Sequence, residues 1–386
     1  MAFLKSFVES LLTWAARRML AVQQPLIVGV TGSSGKTSTK EAIGHVLRKT
    51  VSDRIVRVAP GNLNTEFGLP LAVLDLPKPE GKAAWATTTL KAFWVGATAT
   101  RLPAGRQVLV LEYGAEQPGD IKRLTEIARP DIAVVTNVGE AHTQFLGSLD
   151  GVAREKGALV RALPKTGIAV LAADDERVKA MGQRTEARVV EVRAPVRELS
   201  VELAIAVAEH GFGIPPATAR KALNDWERPP GRLQLLRGKA GSWLLDDTYN
   251  ANPLSTTLAL SELRRLAREK KATRSIAILG DMLELGEEEN RVHTGVSLLA
   301  EKIADVVLLV GPRYRRTKRG MWFPGPVQAA EQAAQLAAKG DIILVKGSQS
   351  MRMEKVSEAL LADPKEAAKH LVRQTPYWRS KPYVAP

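Results

Sequence analysis

The stretch VGVTGSSGKTSTKEAIGHVL, Val28 to Leu47, decides how the rest of the chain is read. Leu26 to Val30 is a short apolar run containing β-branched residues, the pattern of a buried parallel strand. Beyond the glycines, Ala42, Ile43, Val46 and Leu47 recur at helical spacing. A glycine-rich turn between strand and helix is the context in which such a turn binds phosphate. Gly32 and Gly35 let backbone N–H groups face inward, Lys36 can reach the outer phosphates, and the Thr37 hydroxyl can hold Mg²⁺. Thr31, Ser33 and Ser34 complete the loop. The strict G-x-x-x-x-G-K-[ST] pattern would place its first glycine at position 30, which is valine. The loop therefore has the right end and an unusual beginning.

A chain of 386 residues is too long for one compact core, so two domains are expected. The absence of cysteine excludes disulfides, zinc ribbons and a thiol nucleophile, and it suits a reducing cytoplasm. A formal net charge of +14 favours acidic partners, whether phosphorylated substrates, anionic lipid or nucleic acid. Nucleic acid is set aside, because the basic residues are spread along the chain without a base-stacking recognition motif. The basic cluster RYRRTKRG, Arg313 to Gly320, reads as a solvated loop or a binding patch.

Residues 1–24 form an amphipathic helix, with Phe3, Leu4, Phe7, Leu11, Trp14 and Ala15 expected on one face. The segment is too polar to span a membrane and lacks a cleavage site. It is expected to pack on its own domain, with docking to a membrane surface or a partner protein as the alternative.

Further along, the apolar runs Val108 to Leu111, Ile132 to Val135 and Ile168 to Leu171 alternate with amphipathic stretches, which predicts an α/β domain with a doubly wound, mostly parallel sheet. ERPPGR, Glu227 to Arg232, reads as a linker. A second strand series at Trp243 to Leu245, Ile276 to Leu279, Val306 to Val310 and Ile342 to Val345 predicts a second α/β domain. The expected division is 1–24 for the helix, 25–228 for a nucleotide-binding P-loop domain and 229–386 for a Rossmann-like domain. Ligands of such sheets sit beyond the carboxyl ends of the strands, where Glu112, Asn137 and His142 fall. Thr37 on one ion, and Glu112 with His142 on another, could complete a magnesium site beside the loop.

In order, the segments TGSSGKTSTKE, GNLNTEFGLP, LEYGA, TNVGEAH, GVAREKG, PGR, DDTYNANP, GDMLELG and LVKGS resemble those of the Mur ligases. The likeness is strongest to the branch that joins D-alanyl-D-alanine to UDP-N-acetylmuramoyl-tripeptide in peptidoglycan synthesis. That family's loop reads T-G-x-x-G-K-[ST], so Val30 is no defect. The resemblance implies an ATP-dependent ligase that phosphorylates a substrate carboxylate, after which an amino acid or dipeptide amine attacks the acyl phosphate. It implies cytoplasmic enzymes, with the inner face of the membrane as a further station here.

The resemblance also implies roles. Lys36 and the loop amides take the ATP phosphates, and Thr37, Glu112 and His142 take two Mg²⁺ ions. Lys156 becomes a carbamate, N6-carboxylysine, and joins the metal ligands. Arg232 reaches the γ-phosphate from the next domain, and Asp247, Tyr249 and Asn250 lie near the nucleotide. Asn62 and Asn64 lie beside the acceptor, and Lys346 and Ser348 hold the incoming amine. Three departures stand out. The loop follows almost directly on the first helix, where the family has a UDP-binding domain, which raises a lipid-linked acceptor, a partner subunit supplying recognition, a differently bound nucleotide substrate, or another polymer such as a polyglutamate or cyanophycin-like chain. The β-rich excursion expected after Asp175 is replaced by a short passage to the next helix, so adenine contacts do not carry over. Ala172 and Gln349 stand where asparagine and arginine are common. A non-catalytic, membrane-tethered ATP-binding subunit would keep the loop but would not need Lys156 or Arg232.

Overall fold

The computed structural model describes residues 2–61, 63–79, 81–103, 105–139, 146–381 and 383–384. Asn62 and His142 lie outside the described residues. The chain divides into two compact units, Met1–Glu227 and Arg228–Pro386.

In the first unit a six-stranded, wholly parallel sheet has the order β2-β3-β1-β4-β5-β6. Its strands are β1 (Leu26–Thr31), β2 (Ile55–Val58), β3 (Gln107–Glu112), β4 (Ile132–Val135), β5 (Ile168–Ala172) and β6 (Arg188–Val192). The central strands are continuous apolar runs because helices cover both faces. Ile27, Leu109 and Leu111 enter one core, whereas Val28, Val30, Val108 and Val110 enter the core on the other face. Each such fully buried side chain contributes about 1.5–3 kcal/mol relative to exposure. β1 lies between β3 and β4, so the order reverses around it, and the loops after these three strands share one crevice edge.

The first helix, α1 (Ala2–Gln23), is built into this unit. Its buried stripe is Leu12, Ala15, Ala16 and Met19, while Phe7 and Trp14 are exposed. The expected face is thus corrected by most of a half turn. The cause is α4 (Lys82–Ala97), which crosses α1 so closely that a Cβ on Gly96 would stand 2.7 Å from the Ala15 Cα. Small residues decide that contact, and the large aromatic side chains are displaced from it.

The second unit carries a sheet of order β11-β10-β9-β12-β8-β7, parallel except for the antiparallel pair β7–β8. Its strands are β7 (Gln234–Arg237), β8 (Trp243–Asp247), β9 (Arg274–Gly280), β10 (Val306–Val310), β11 (Met321–Phe323) and β12 (Asp341–Lys346). Leu245, Leu279 and Leu344 pack on one face, and Leu244, Ile278 and Val345 on the other. Among the described residues no helix is long and apolar enough to cross a membrane.

Candidate active site

At the end of β1 the chain turns through Gly32 (φ +147°) and Gly35 (φ +79°) into the helix Lys36–Thr50. Both values lie in the region that glycine tolerates and L side chains rarely adopt. Gly32 is constrained twice, since a Cβ there would lie 1.9 Å from the Thr136 Oγ1. The loop is clamped from the end of β4. Asn137 Oδ1 accepts from the backbone N–H of Ser33 (3.1 Å) and of Ser34 (2.8 Å), and Asn137 Nδ2 donates to Ser34 Oγ (3.1 Å). Gly139 N donates to Ser33 Oγ at 2.8 Å, and Thr136 Oγ1 donates to the Ser34 carbonyl at 2.6 Å. Thr31 Oγ1 donates to the Tyr113 carbonyl, which ties the end of β1 to the end of β3. These bonds fix the shape of the loop at the helix N-terminus, with the Ser33 and Ser34 amides turned onto Asn137.

Lys36 Nζ donates to the Gly32 carbonyl at 2.8 Å, folding the side chain back over the loop. Thr37 Oγ1 donates to Glu112 Oε2 at 2.9 Å, and Asn64 Nδ2 donates to the other carboxylate oxygen at 2.9 Å. Glu112 is therefore buried with both oxygens oriented, one from the loop helix and one from the GNLN segment. A second lysine of the loop helix secures that segment: Lys40 is fully buried, and its Nζ donates to the carbonyls of Ala59 and Gly61.

Lys156 is buried on the helix Leu149–Arg161. Burial strips the ammonium of hydration and the nearby Lys36 charge repels it, while Glu155 and Glu112 partly oppose both effects, so its pKa falls to about 7. The neighbouring Glu155 accepts from Gly119 N (2.8 Å) and Ile121 N (2.7 Å), which anchors this helix to the N-terminus of α5 (Asp120–Ile127). A half-neutral, enclosed amine near a lysine and a carboxylate is chemically distinct from a surface lysine.

Among the described residues no three His, Cys, Asp or Glu side chains converge as a metal site. The Thr37 hydroxyl and the Glu112 carboxylate do form a pair of hard oxygen donors beside the loop. That pair fits Mg²⁺, which takes one or two protein oxygens and completes its shell with water and phosphate.

The candidates of the second unit also gather at strand ends. Lys346 Nζ, at the end of β12, donates to Asp247 Oδ2 (2.5 Å) at the end of β8 and to the Asn250 carbonyl (2.9 Å). Asp247 also accepts from Leu233 N at 3.1 Å. Lys346 is thus committed to a buried ion pair. Ser348 Oγ accepts from Leu283 N (3.0 Å), and Asn250 Oδ1 accepts from Gln349 N (3.2 Å). The Arg232 guanidinium stacks on the Tyr249 ring at 3.9 Å.

The structure gathers Lys36, Thr37, Asn64, Glu112 and Lys156 in the first unit, and Arg232, Asp247, Tyr249, Asn250, Lys346 and Ser348 in the second. Sequence reasoning missed the clamp formed by Asn137, the buried Lys40 and the anchoring Glu155. Lys40 had a readable signal, since it follows Lys36 by one helical turn and so faces the same side.

The Mur ligase middle domain model matches residues 30–210, and the Mur ligase glutamate ligase domain model matches residues 231–349. The chain is 31% identical over 402 residues to the UDP-N-acetylmuramoyl-tripeptide–D-alanyl-D-alanine ligase of Mycobacterium bovis, covering 87% of this chain and 73% of that protein. The Bacillus subtilis protein of the same name is 28% identical over 382 residues, covering 88% and 76%. Among solved structures, the MurF ligase from Thermotoga maritima in complex with ADP aligns with a TM-score of 0.74 at 26% identity, over 94% of this chain and 84% of that one.

Proposed function

The chain belongs to the Mur ligase family, and from that premise we propose that it joins D-alanyl-D-alanine to UDP-N-acetylmuramoyl-tripeptide in peptidoglycan precursor synthesis. It is an ATP-dependent carbon–nitrogen ligase. The observation that carries the reading is the Thr37–Glu112–Asn64 cluster beside the phosphate loop, with Lys156 buried nearby.

A carboxylate is a poor electrophile, so the tripeptide carboxylate takes the γ-phosphoryl group of ATP, and the dipeptide amine then displaces phosphate from the acyl phosphate. Lys36 and the loop Thr31 to Thr37 are assigned to the nucleotide phosphates, where positive charge offsets what develops in transfer; the Ser33 and Ser34 amides would have to exchange Asn137 Oδ1 for phosphate oxygen. Mg²⁺ would be held by Thr37 and Glu112, and it supplies neutralisation of phosphate charge. His142 and Asn62 keep their proposed metal and acceptor roles on the family resemblance alone. Carbamylation of Lys156 is supported by its depressed basicity, since only the neutral amine can take up CO₂. In the second unit, Arg232, Asp247, Tyr249 and Asn250 are assigned to the nucleotide, and Lys346 and Ser348 to the amine substrate. The close ion pair of Lys346 favours an orienting part for that residue. The cytoplasm is the proposed site of action.

The test is phosphate release from ATP and Mg²⁺ with the muramoyl tripeptide and D-alanyl-D-alanine, together and singly, with mass spectrometry of the product. Release that needs both substrates and yields the pentapeptide supports the assignment. Release with a different carboxylate acceptor, and none with the muramoyl tripeptide, would overturn the acceptor while leaving the ligase chemistry in place.

A further inference from the structure

α4 buries one apolar face and leaves a second, largely apolar one uncovered. Ala92 and Gly96 face α1, and on the other side Ala83, Ala86, Thr87, Leu90, Phe93, Trp94 and Ala97 are exposed. Lys91 and Thr87 flank the uncovered side, but its centre at Leu90, Phe93 and Trp94 is apolar and meets water. The uncovered side continues onto α1. Trp14 stacks on Phe93 with ring centroids 5.6 Å apart, and Phe93 meets Trp94 edge-on at 5.9 Å. Phe7, Trp14, Leu90, Phe93 and Trp94 are each 41–61% exposed. Scattered apolar residues are ordinary on a surface, but a contiguous aromatic patch across two helices marks an interaction site.

The charge around the patch selects the occupant. No Asp or Glu occurs from Lys82 to Leu111, and Lys91 and Arg101 lie in that span. On α1 the exposed Arg17 and Arg18 follow Trp14 by one helical turn, Arg17 donating to the Glu126 carbonyl, whereas Lys5 pairs with Glu66 away from the patch. Tryptophan and phenylalanine in a basic rim match the level of lipid headgroups, where aromatic rings take the interface and cations meet anionic phosphates. We propose that the α1–α4 face is a docking surface for an anionic lipid membrane, with Trp14, Phe93, Trp94 and Leu90 entering the interface and Lys91 and Arg18 meeting the headgroups. The attachment is peripheral, because both helices lie along the face and neither spans. A ligase so placed would work beside the membrane rather than throughout the solution.

The experiment is flotation of the full chain with vesicles of phosphatidylglycerol and phosphatidylcholine in equal parts, against phosphatidylcholine alone, at low and high salt. Binding to the anionic vesicles, weakened by salt and about fivefold by Lys91→Ala, is expected. Trp94→Ser and Leu90→Ser should each lower binding while leaving the melting temperature and ATP-driven phosphate release unchanged; having two exposed variants guards against one that misfolds. No binding to anionic vesicles, or binding indifferent to both variants, overturns the proposal. So does a dimer seen by light scattering that Trp94→Ser dissolves, which would make the face a contact between copies.

Discussion

Thr37 and Asn64 hold the two oxygens of Glu112 from opposite sides, each at 2.9 Å, so one carboxylate joins the phosphate loop to the GNLN segment. Replacing it with an amide keeps the shape and removes the charge. Glu112→Gln is predicted to lower kcat by about 10²- to 10³-fold, the scale seen when one electrostatic group is removed from a preorganised site. ATP-dependent phosphate release measures it, and a variant within a factor of two of wild type would remove Glu112 from the metal assignment.

Gly32→Ala tests the loop itself. The residue sits at φ +147° and a Cβ would overlap Thr136 Oγ1, so strain of about 1–3 kcal/mol is expected from the backbone alone. A melt in the presence and absence of ATP should show a lower Tm and a lost nucleotide-induced shift. An unchanged shift would mean that the turn accommodates a side chain without moving.

Lys156→Met removes an enclosed amine that is already half neutral, and therefore should cost little stability while abolishing ligation. In wild-type protein, stripping CO₂ from the buffer should depress activity, and bicarbonate should restore it. Activity indifferent to CO₂ and retained in Lys156→Met would refute the carbamate.

Two buried groups of the second unit impose opposite pH dependences. His293 accepts from Met282 N through Nε2 and donates from Nδ1 to the Glu289 carbonyl, so its neutral ring is fully used. Burial lowers its pKa; its contribution is complete above the unfolded value of about 6.5 and is lost as pH falls through the lower folded value. Asp246 is raised to about 7 by burial, despite hydrogen bonds from Ser357 and Thr248. Between its unfolded value near 4 and about 7, the folded state holds the extra proton, so this group makes stability fall as pH rises, by at most about 1.4 kcal/mol per pH unit. Asp281, raised to about 6, acts with the same sign. Denaturant unfolding from pH 5 to 8 should show Asp246→Asn losing less stability with rising pH than wild type, and His293→Gln losing less on acidification. Curves parallel to wild type would contradict both assignments.

Lys346→Ala should cost about 3–5 kcal/mol, because it strands Asp247 in a buried position. Adding Asp247→Asn should recover part of that loss. If the double variant is no more stable than the single one, the pair is not what holds this strand end.

The central strands were legible because residues buried on two faces write continuous apolar runs, as in Val108 to Leu111 and Ile342 to Val345. The strands missed in the sequence are β2, β6, β7 and β11, all at or near sheet edges. IVRV and RVVEV interleave charge with apolar residues because one side meets solvent, and MWF is only three residues long. The loop Thr31 to Thr37 was readable from glycine, lysine and threonine spacing. The clamp by Asn137 on the loop and the anchor of Glu155 on α5 were not, since both act through backbone amides of segments distant in sequence. The face of α1 was misjudged because the expectation followed the large apolar side chains, while the Ala15–Gly96 crossing selects for smallness.

At that crossing only the Ala15 methyl group stands between the two backbones, so α1 and α4 pack as one plate. The proposed lipid surface would then receive the rings of both helices in a single event, and partitioning should follow a one-site isotherm whose affinity reflects both. A bulkier residue at position 96 would act as a wedge, parting the plate and letting each helix titrate alone.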